Sequence, residues 1–210
     1  MDGHPIDLST WPRTDQFRFF RSFERPHFAV TARLDVTGLL LRAKPAGISP
    51  YRACLYAIGA GFDRVDALRV RFKGEDVIAF DRVDLSMTVP REDGTFGYAY
   101  LTWMPDFPAF DAAAKDQLAQ AAAGRTLSPN STRLDMAYLS CLPWLDYTAL
   151  TNAMPDADDP IPRIGWGKFS KTAEGFDMAM TVEVHHAIAD GRHVAEFFAA
   201  VQDTLAAVSR

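Results

Sequence analysis

Near its C-terminus the chain runs FDMAMTVEVHHAIADGRH, from Phe176 to His193. Met178, Met180, Val182 and Val184 alternate with other residues, so they share one face of an extended strand. The strand closes on two histidines. Asp190-Gly191 then opens a helix whose Val194, Phe197, Phe198, Val201 and Leu205 fall on one stripe. Consecutive histidines on a strand face opposite ways, so one points into the fold and the other toward a cleft. Asp190 suits a helix N-cap, and Gly191 lets the backbone pass close to other atoms. Asp190, four residues after His186, can hold the loop that aims the histidine, directly or through a cation from elsewhere. Imidazole titrates near neutrality and can take a hydroxyl or thiol proton. On these residues alone the stretch reads equally as two satisfied structural histidines beside a helix cap.

The remaining elements decide what sheet this strand joins. Phe28, Val30, Ala32 and Leu34 alternate as a strand. DVTGLLLRAK follows as a short helix, capped by Asp35 or Thr37 and ended at Pro45-Ala46-Gly47. Ser49-Pro50 opens a second helix through Leu55, Ile58 and Phe62, since proline at a first turn loses no hydrogen bond. Arg69 to Lys73, Asp76 to Phe80 and Leu85 to Val89 read as strands, and Glu92-Asp93-Gly94 turns the chain back into Phe96 to Trp103. Phe107 to Ala123 reads as a helix, Met136 to Leu142 and Ile164 to Ser170 as strands, and AGRTLSPNS (123 to 131) as a loop. Neighbouring strands with helices set apart predict an α+β fold, a two-layer sandwich of mainly antiparallel or mixed sheet with helices packed on it. No GxGxxG or GKS/GKT motif points to a doubly wound nucleotide fold.

The 210 residues fit a single domain, spanning 1–210, with a substantial core. A net charge of -5 without a basic stripe argues against nucleic acid as a partner. No stretch approaches the roughly 20 apolar residues of a membrane helix, so no membrane partner is expected. The first fifteen residues lack a basic start followed by an apolar run, so a cytoplasmic protein with Cys54 and Cys141 reduced is expected. No CxxC or HExxH spacing supports a metal, and none is expected.

HHAIADG matches the HHxxxDG pattern of chloramphenicol acetyltransferases and of the acyltransferase cores of dihydrolipoamide enzymes, and peptide-synthetase condensation domains carry a similar one. Further stretches resemble the chloramphenicol acetyltransferases in particular, in the right order from about Ile6 to about Leu205. They are the opening IDLSTWPRTDQFRFFRSFERPHFAVTARLDVT with its Trp-x-Arg, the Ser-x-x-Pro-Trp of SCLPW, and the Gly-Lys-aromatic of IGWGKF. There is no hexapeptide repeat, so the left-handed β-helix class of chloramphenicol-modifying enzymes does not fit.

The resemblance implies acetyl-CoA as co-substrate and chloramphenicol, or a similar small hydroxyl compound, as acceptor. It implies a homotrimer with the site between subunits. His186 would be the general base and Ser140 the donor to the oxyanion, with no covalent acyl-enzyme. Asp190 would pair with Arg13 to fix the loop that aims the base. Lys168 and Phe169 would border the coenzyme A tunnel, and Phe20 and Phe28 the acceptor pocket. Cys141, beside Ser140, reads as a small core residue. Phe20 stands where the family often has a tyrosine, and Gly165 where the well-studied members have a threonine. These departures leave open another small alcohol or amine as acceptor. The motif is also compatible with a dihydrolipoamide acyltransferase core, and the fold with a non-catalytic small-molecule binder.

Overall fold

The computed structural model describes residues 3–124 and 132–210. The loop expected from 123 to 131 lies almost entirely outside the described residues. Among the described residues ten strands and four α-helices follow one another: β1 (Gly3–Pro5), α1 (Thr14–Arg21), β2 (His27–Asp35), α2 (Pro50–Arg64), β3 (Val70–Lys73), β4 (Asp76–Phe80), β5 (Asp84–Pro90), β6 (Phe96–Thr102), α3 (Phe107–Ala123), β7 (Met136–Leu142), β8 (Arg163–Gly167), β9 (Ser170–Lys171), β10 (Phe176–His185) and α4 (Gly191–Val208). Strands β1, β4 and β3 form a small sheet. The main sheet runs β2-β10-β8-β7-β5-β6, with β9 beside β10. Its β5-β7 and β7-β8 ladders are parallel and the others antiparallel, which makes it the expected mixed α+β sheet.

The expected apolar face of β10 is present, while β2 forms as a strand with Val30 exposed. Met178, Met180, Val182 and Val184 are buried on one face of β10, and Val194, Phe197, Val201 and Leu205 of α4 are buried in the same core. The helix at Ser49-Pro50 forms as expected, with the Ser49 hydroxyl accepting from the Arg52 amide. Gly94, at φ 81, takes the left-handed position of the β5–β6 turn, and Asp93 accepts from Thr95.

Two local expectations are corrected. The DVTGLLLRAK segment forms a five-residue π-helix, Leu39–Ala43, rather than a capped α-helix. Asp35 accepts from the amide of Thr37, the first helical residue, while Thr37 Oγ1 accepts from the Phe176 amide and caps nothing. The IGWGKFS strand ends at Gly167, because the Lys168 amide turns away to Leu145 O at 2.8 Å.

The opposite face of β10 is polar and also buried. Thr181, Glu183 and His185 are no more than 5% exposed. The connection 143–162, between β7 and β8, closes over them. Its Asn152 gives both backbone and side-chain N–H groups to Glu183 Oε2 at 2.7 and 2.8 Å.

Arg71 ties the small sheet to β7. It is fully buried, and its guanidinium donates to the carbonyls of Leu68, Val70, Leu134 and Met136 at 2.7–3.0 Å. Burial pulls its pKa down to about 9, so the cation persists at neutral pH. Arg71→Met keeps the volume but leaves these carbonyls without donors. It should cost about 3 kcal/mol or more in urea unfolding.

Candidate active site

The loop that carries the histidines begins where β10 runs out of partners. His185 is the last residue paired with β2, opposite His27, and the His186 amide still donates to Pro26 O at 2.9 Å. The amides of Ile188 and Ala189 then turn back to His185 O. Ala187, Ile188 and Ala189 are buried, so the turn is set in the core. Asp190 opens α4: its carboxylate accepts from the Arg192 amide at 3.1 Å, and its own amide donates to His193 Nδ1 at 3.1 Å. Gly191 has no left-handed φ, and nothing stands within 4 Å of where its Cβ would be. The expected need for glycine at a close backbone approach is therefore absent among the described residues.

The two histidines do face opposite ways. His185 is buried against His27 and Phe72, with ring centroids 4.9 Å from each. Its Nδ1 accepts from the Ala187 amide at 3.0 Å, so the neutral ring carries its proton on Nε2. Nε2 lies toward the Ala157 backbone without a hydrogen bond among the described residues. Burial, then the neighbouring His27, pulls the His185 pKa down to about 4.

His186 is half-buried on the other side. Its ring lies parallel to Phe20, at 3.8 Å and 4°, and beside Phe28 at 4.6 Å. Its Nδ1 is enclosed, with no hydrogen-bond partner among the described residues.

Phe20 reaches the histidine because α1 is anchored from below. Phe17 is fully buried against Trp11 and Phe72. Arg21, on the following turn, covers Phe17 and Phe72 and donates to Gly74 O. Phe20, three residues from Phe17, then projects toward His186. The sequence pattern does not announce a helix at Thr14–Arg21. Its one-turn apolar repeat is short, and tertiary packing supplies the rest.

Arg13, just before α1, closes the arrangement. Its Nη2 donates to His186 O at 2.8 Å, Nε to Ala187 O at 2.9 Å, and Nη1 to Asp190 Oδ2 at 2.9 Å. Burial opposes ionisation of Asp190, but the Arg13 hydrogen bond and charge outweigh it and hold the carboxyl below its usual range. Arg13, Phe20, Phe28, His186 and Asp190 thus come together.

Ser140, Lys168 and Phe169 do not join them. Ser140 sits near the end of β7, opposite Gly165 of β8, which is opposite Thr181 of β10. At ordinary spacings Ser140 lies roughly 10 Å across the sheet and roughly 16 Å along it from His186. Two cavities have volumes of about 600 Å³ each; one is bordered by Arg13, Ile188 and His193, and neither is lined by His186 or Ser140. The Ser140 hydroxyl has no hydrogen bond among the described residues. Lys168 is exposed and Phe169 packs against the core, both in the bend after β8 rather than on a strand. Cys141 is a free thiol whose pKa burial pushes up to about 12, so it stays protonated. Among the described residues no cluster of His, Cys, Asp and Glu could hold a metal. No helix there is long and apolar enough to cross a membrane.

The family model for chloramphenicol acetyltransferase matches residues 1–202. The chain belongs to the chloramphenicol acetyltransferase family. Chloramphenicol acetyltransferase 2 of Escherichia coli is 28% identical over 200 residues, covering 94% of each chain. The enzyme of Streptomyces acrimycini is 28% identical over 206 residues, covering 96% of this chain and 94% of that one. A solved chloramphenicol acetyltransferase superposes with a TM-score of 0.88 at 24% identity, covering 97% of this chain and all of that one. The cubic core of a pyruvate dehydrogenase complex reaches 0.66 at 19%, covering 98% and 91%. It shares the fold. The expected α+β architecture is therefore that of the chloramphenicol acetyltransferase family.

Two measurements test the loop. The single nitrogen of lysine cannot span three acceptors that Nε, Nη1 and Nη2 meet separately, so Arg13→Lys should cost roughly 2 kcal/mol and speed amide exchange at 187–190. For His185, an unfolded-chain histidine titrates near 6.5 and the folded one near 4. The unfolded chain binds the proton first, so the stability from neutral His185 is complete above about 6.5 and lost as pH falls toward 4. That loss approaches about 3 kcal/mol. His185→Gln should flatten the dependence of stability on pH across this window, measured by urea unfolding.

Proposed function

We propose that this chain is an acetyl-CoA-dependent O-acetyltransferase, one domain over residues 1–210, that acetylates a hydroxyl of chloramphenicol. The observation that carries the reading is the loop His185–Asp190 held by Arg13, with His186 stacked on Phe20. One phenylalanine stacked on the imidazole and a second tilted beside it suit a flat apolar acceptor whose hydroxyl meets the ring. His186 removes the hydroxyl proton through Nε2, since Nδ1 is enclosed, and the acceptor oxygen attacks the thioester carbonyl. Ser140 donates to the resulting oxyanion, and collapse of the intermediate expels the coenzyme A thiolate. Asp190 and Arg13 keep the base aimed. Lys168, exposed beside Phe169, supplies a cation for coenzyme A phosphates. Both cysteines are free, which fits a cytoplasmic enzyme.

The distance between Ser140 and His186 supports a site shared between copies, in a homotrimer. His186 with Phe20 and Phe28 comes from one subunit, and Ser140 comes from its neighbour.

Release of coenzyme A thiol from acetyl-CoA with chloramphenicol should be fast in the wild type. It should fall by several orders of magnitude in His186→Ala and about 10²-fold or more in Ser140→Ala. Refolding the two variants together should restore roughly a quarter of wild-type sites, because one interface in four then carries both intact residues. A panel of other small alcohols and amines checks the acceptor. Fast turnover of one of these without turnover of chloramphenicol would move the assignment there. An active monomer on light scattering would remove the shared site.

A further inference from the structure

One row of side chains crosses the sheet at Ser140. Ser140 faces Gly165, Gly165 faces Thr181, and Thr181 faces Thr31. Residues paired across a ladder point to the same side, so the row has a gap at Gly165. The connection just after Ser140 fills it. A Cβ on Gly165 would collide with Leu150 Cδ2 and would stand 3.6 Å from the Tyr147 hydroxyl.

Tyr147 Oη is 2.8 Å from Gly165 O, Thr181 Oγ1 is 3.4 Å from Tyr147 Oη, and Thr31 Oγ1 is 2.7 Å from Thr181 Oγ1. A carbonyl can only accept, so the Tyr147 O–H points to Gly165. The Tyr147 oxygen then accepts from Thr181, and Thr181 accepts from Thr31. The chain of hydroxyls has one direction and ends on the backbone of β8, beside Ser140. It is complete without the Ser140 hydroxyl, which stays available as a donor.

We propose that Tyr147 is a positioning residue for acyl transfer. Resting on the function above, it holds the Gly165 carbonyl, and with Leu150 it takes the place of a Gly165 side chain, so fixing the wall beside Ser140. It does not itself donate to the oxyanion, because its only proton is committed to Gly165.

The test compares Tyr147→Phe with Thr31→Val, which cuts the far end of the same chain. Tyr147→Phe should lower kcat about tenfold, with KM for acetyl-CoA and chloramphenicol within about twofold, because a loosened wall misplaces the transition state more than the ground state. Thr31→Val should leave kcat within about twofold. If the two variants change kcat alike, or neither changes it, Tyr147 is structural only and the proposal is overturned. A second readout does not need turnover. Gly165-Trp166 is the only Gly-Trp pair in the sequence, so carbonyl-¹³C glycine with ¹⁵N tryptophan isolates the Gly165 carbonyl in one NMR signal. Tyr147→Phe should shift that signal and Thr31→Val should not. An unmoved signal in Tyr147→Phe overturns the proposal even if the wild type is active. A wild type without turnover on any acceptor overturns the acetyltransferase reading instead, and the shift still decides whether Tyr147 holds Gly165.

Discussion

The arrangement around His186 depends on one guanidinium. Arg13 is 173 to 177 residues away in sequence from the three groups it binds, His186 O, Ala187 O and Asp190 Oδ2. Two of these are backbone carbonyls in a turn that cannot pair with a sheet. Water cannot reach such groups easily in a buried turn, so a donor from the protein is required. A planar guanidinium meets all three at once, and its hydrogen bond and charge help hold the Asp190 carboxyl below its usual range. Because Arg13 immediately precedes α1, the same contact fixes where that helix starts. Phe17 then drops into the core and Phe20 lands flat on His186. The clamp therefore sets both the backbone that carries the imidazole and the ring that covers it.

The reverse side of β10 obeys a different constraint. Thr181, Glu183 and His185 are polar and lie where a two-layer protein would otherwise be wet. The 143–162 connection makes this tolerable by bringing a partner for most of them: Tyr147 for Thr181, Asn152 for Glu183. Among the described residues His185 has no charged partner in hydrogen-bond reach, and it is the one that stays neutral. The connection is held at further points by Arg33 on Asp146 and by Asp159 O, which accepts from His27. Its length is set by the need to return from β7 to a parallel neighbour, β8, without a helix.

What could be read from the sequence follows from how local each signal is. The span Phe176–His185 and the helix Phe107–Ala123 were legible to the residue, because alternation and propensity persist over many positions. The Asp190 cap was legible from its strand-to-helix setting. The Arg13–Asp190 pair and the Ser140 assignment were not legible from local pattern and came only through the family resemblance. The 143–162 connection carries no periodicity at all, so Tyr147 and Asn152 left no signal. Their partners did leave one, since Thr181, Glu183 and His185 alternate with Met180, Val182 and Val184. A strand with apolar residues on one face and buried polar residues on the other requires something polar to cover it. Lys168 and Phe169 misled as strand residues because IGWGKFS alternates, while the Lys168 amide is spent on Leu145 O.

At Gly165, which the sequence resemblance sets where related chains carry a threonine, the place of a side chain is taken by other residues. Relative to a threonine, glycine at a row position opens space and removes a hydroxyl. Here Leu150 occupies the space and Tyr147 brings a hydroxyl back, both from the segment that Ser140 itself introduces. The three positions are consequently coupled. A threonine placed at Gly165 alone would strike Leu150, and Tyr147 without its hydroxyl would leave Thr181 without that acceptor. Substitutions at such a triad cannot be additive, because each residue defines the room and the partners of the other two. The chain holds the wall beside Ser140 by a tyrosine reaching across the sheet, so the shape of that wall belongs to the three residues jointly and to none of them alone.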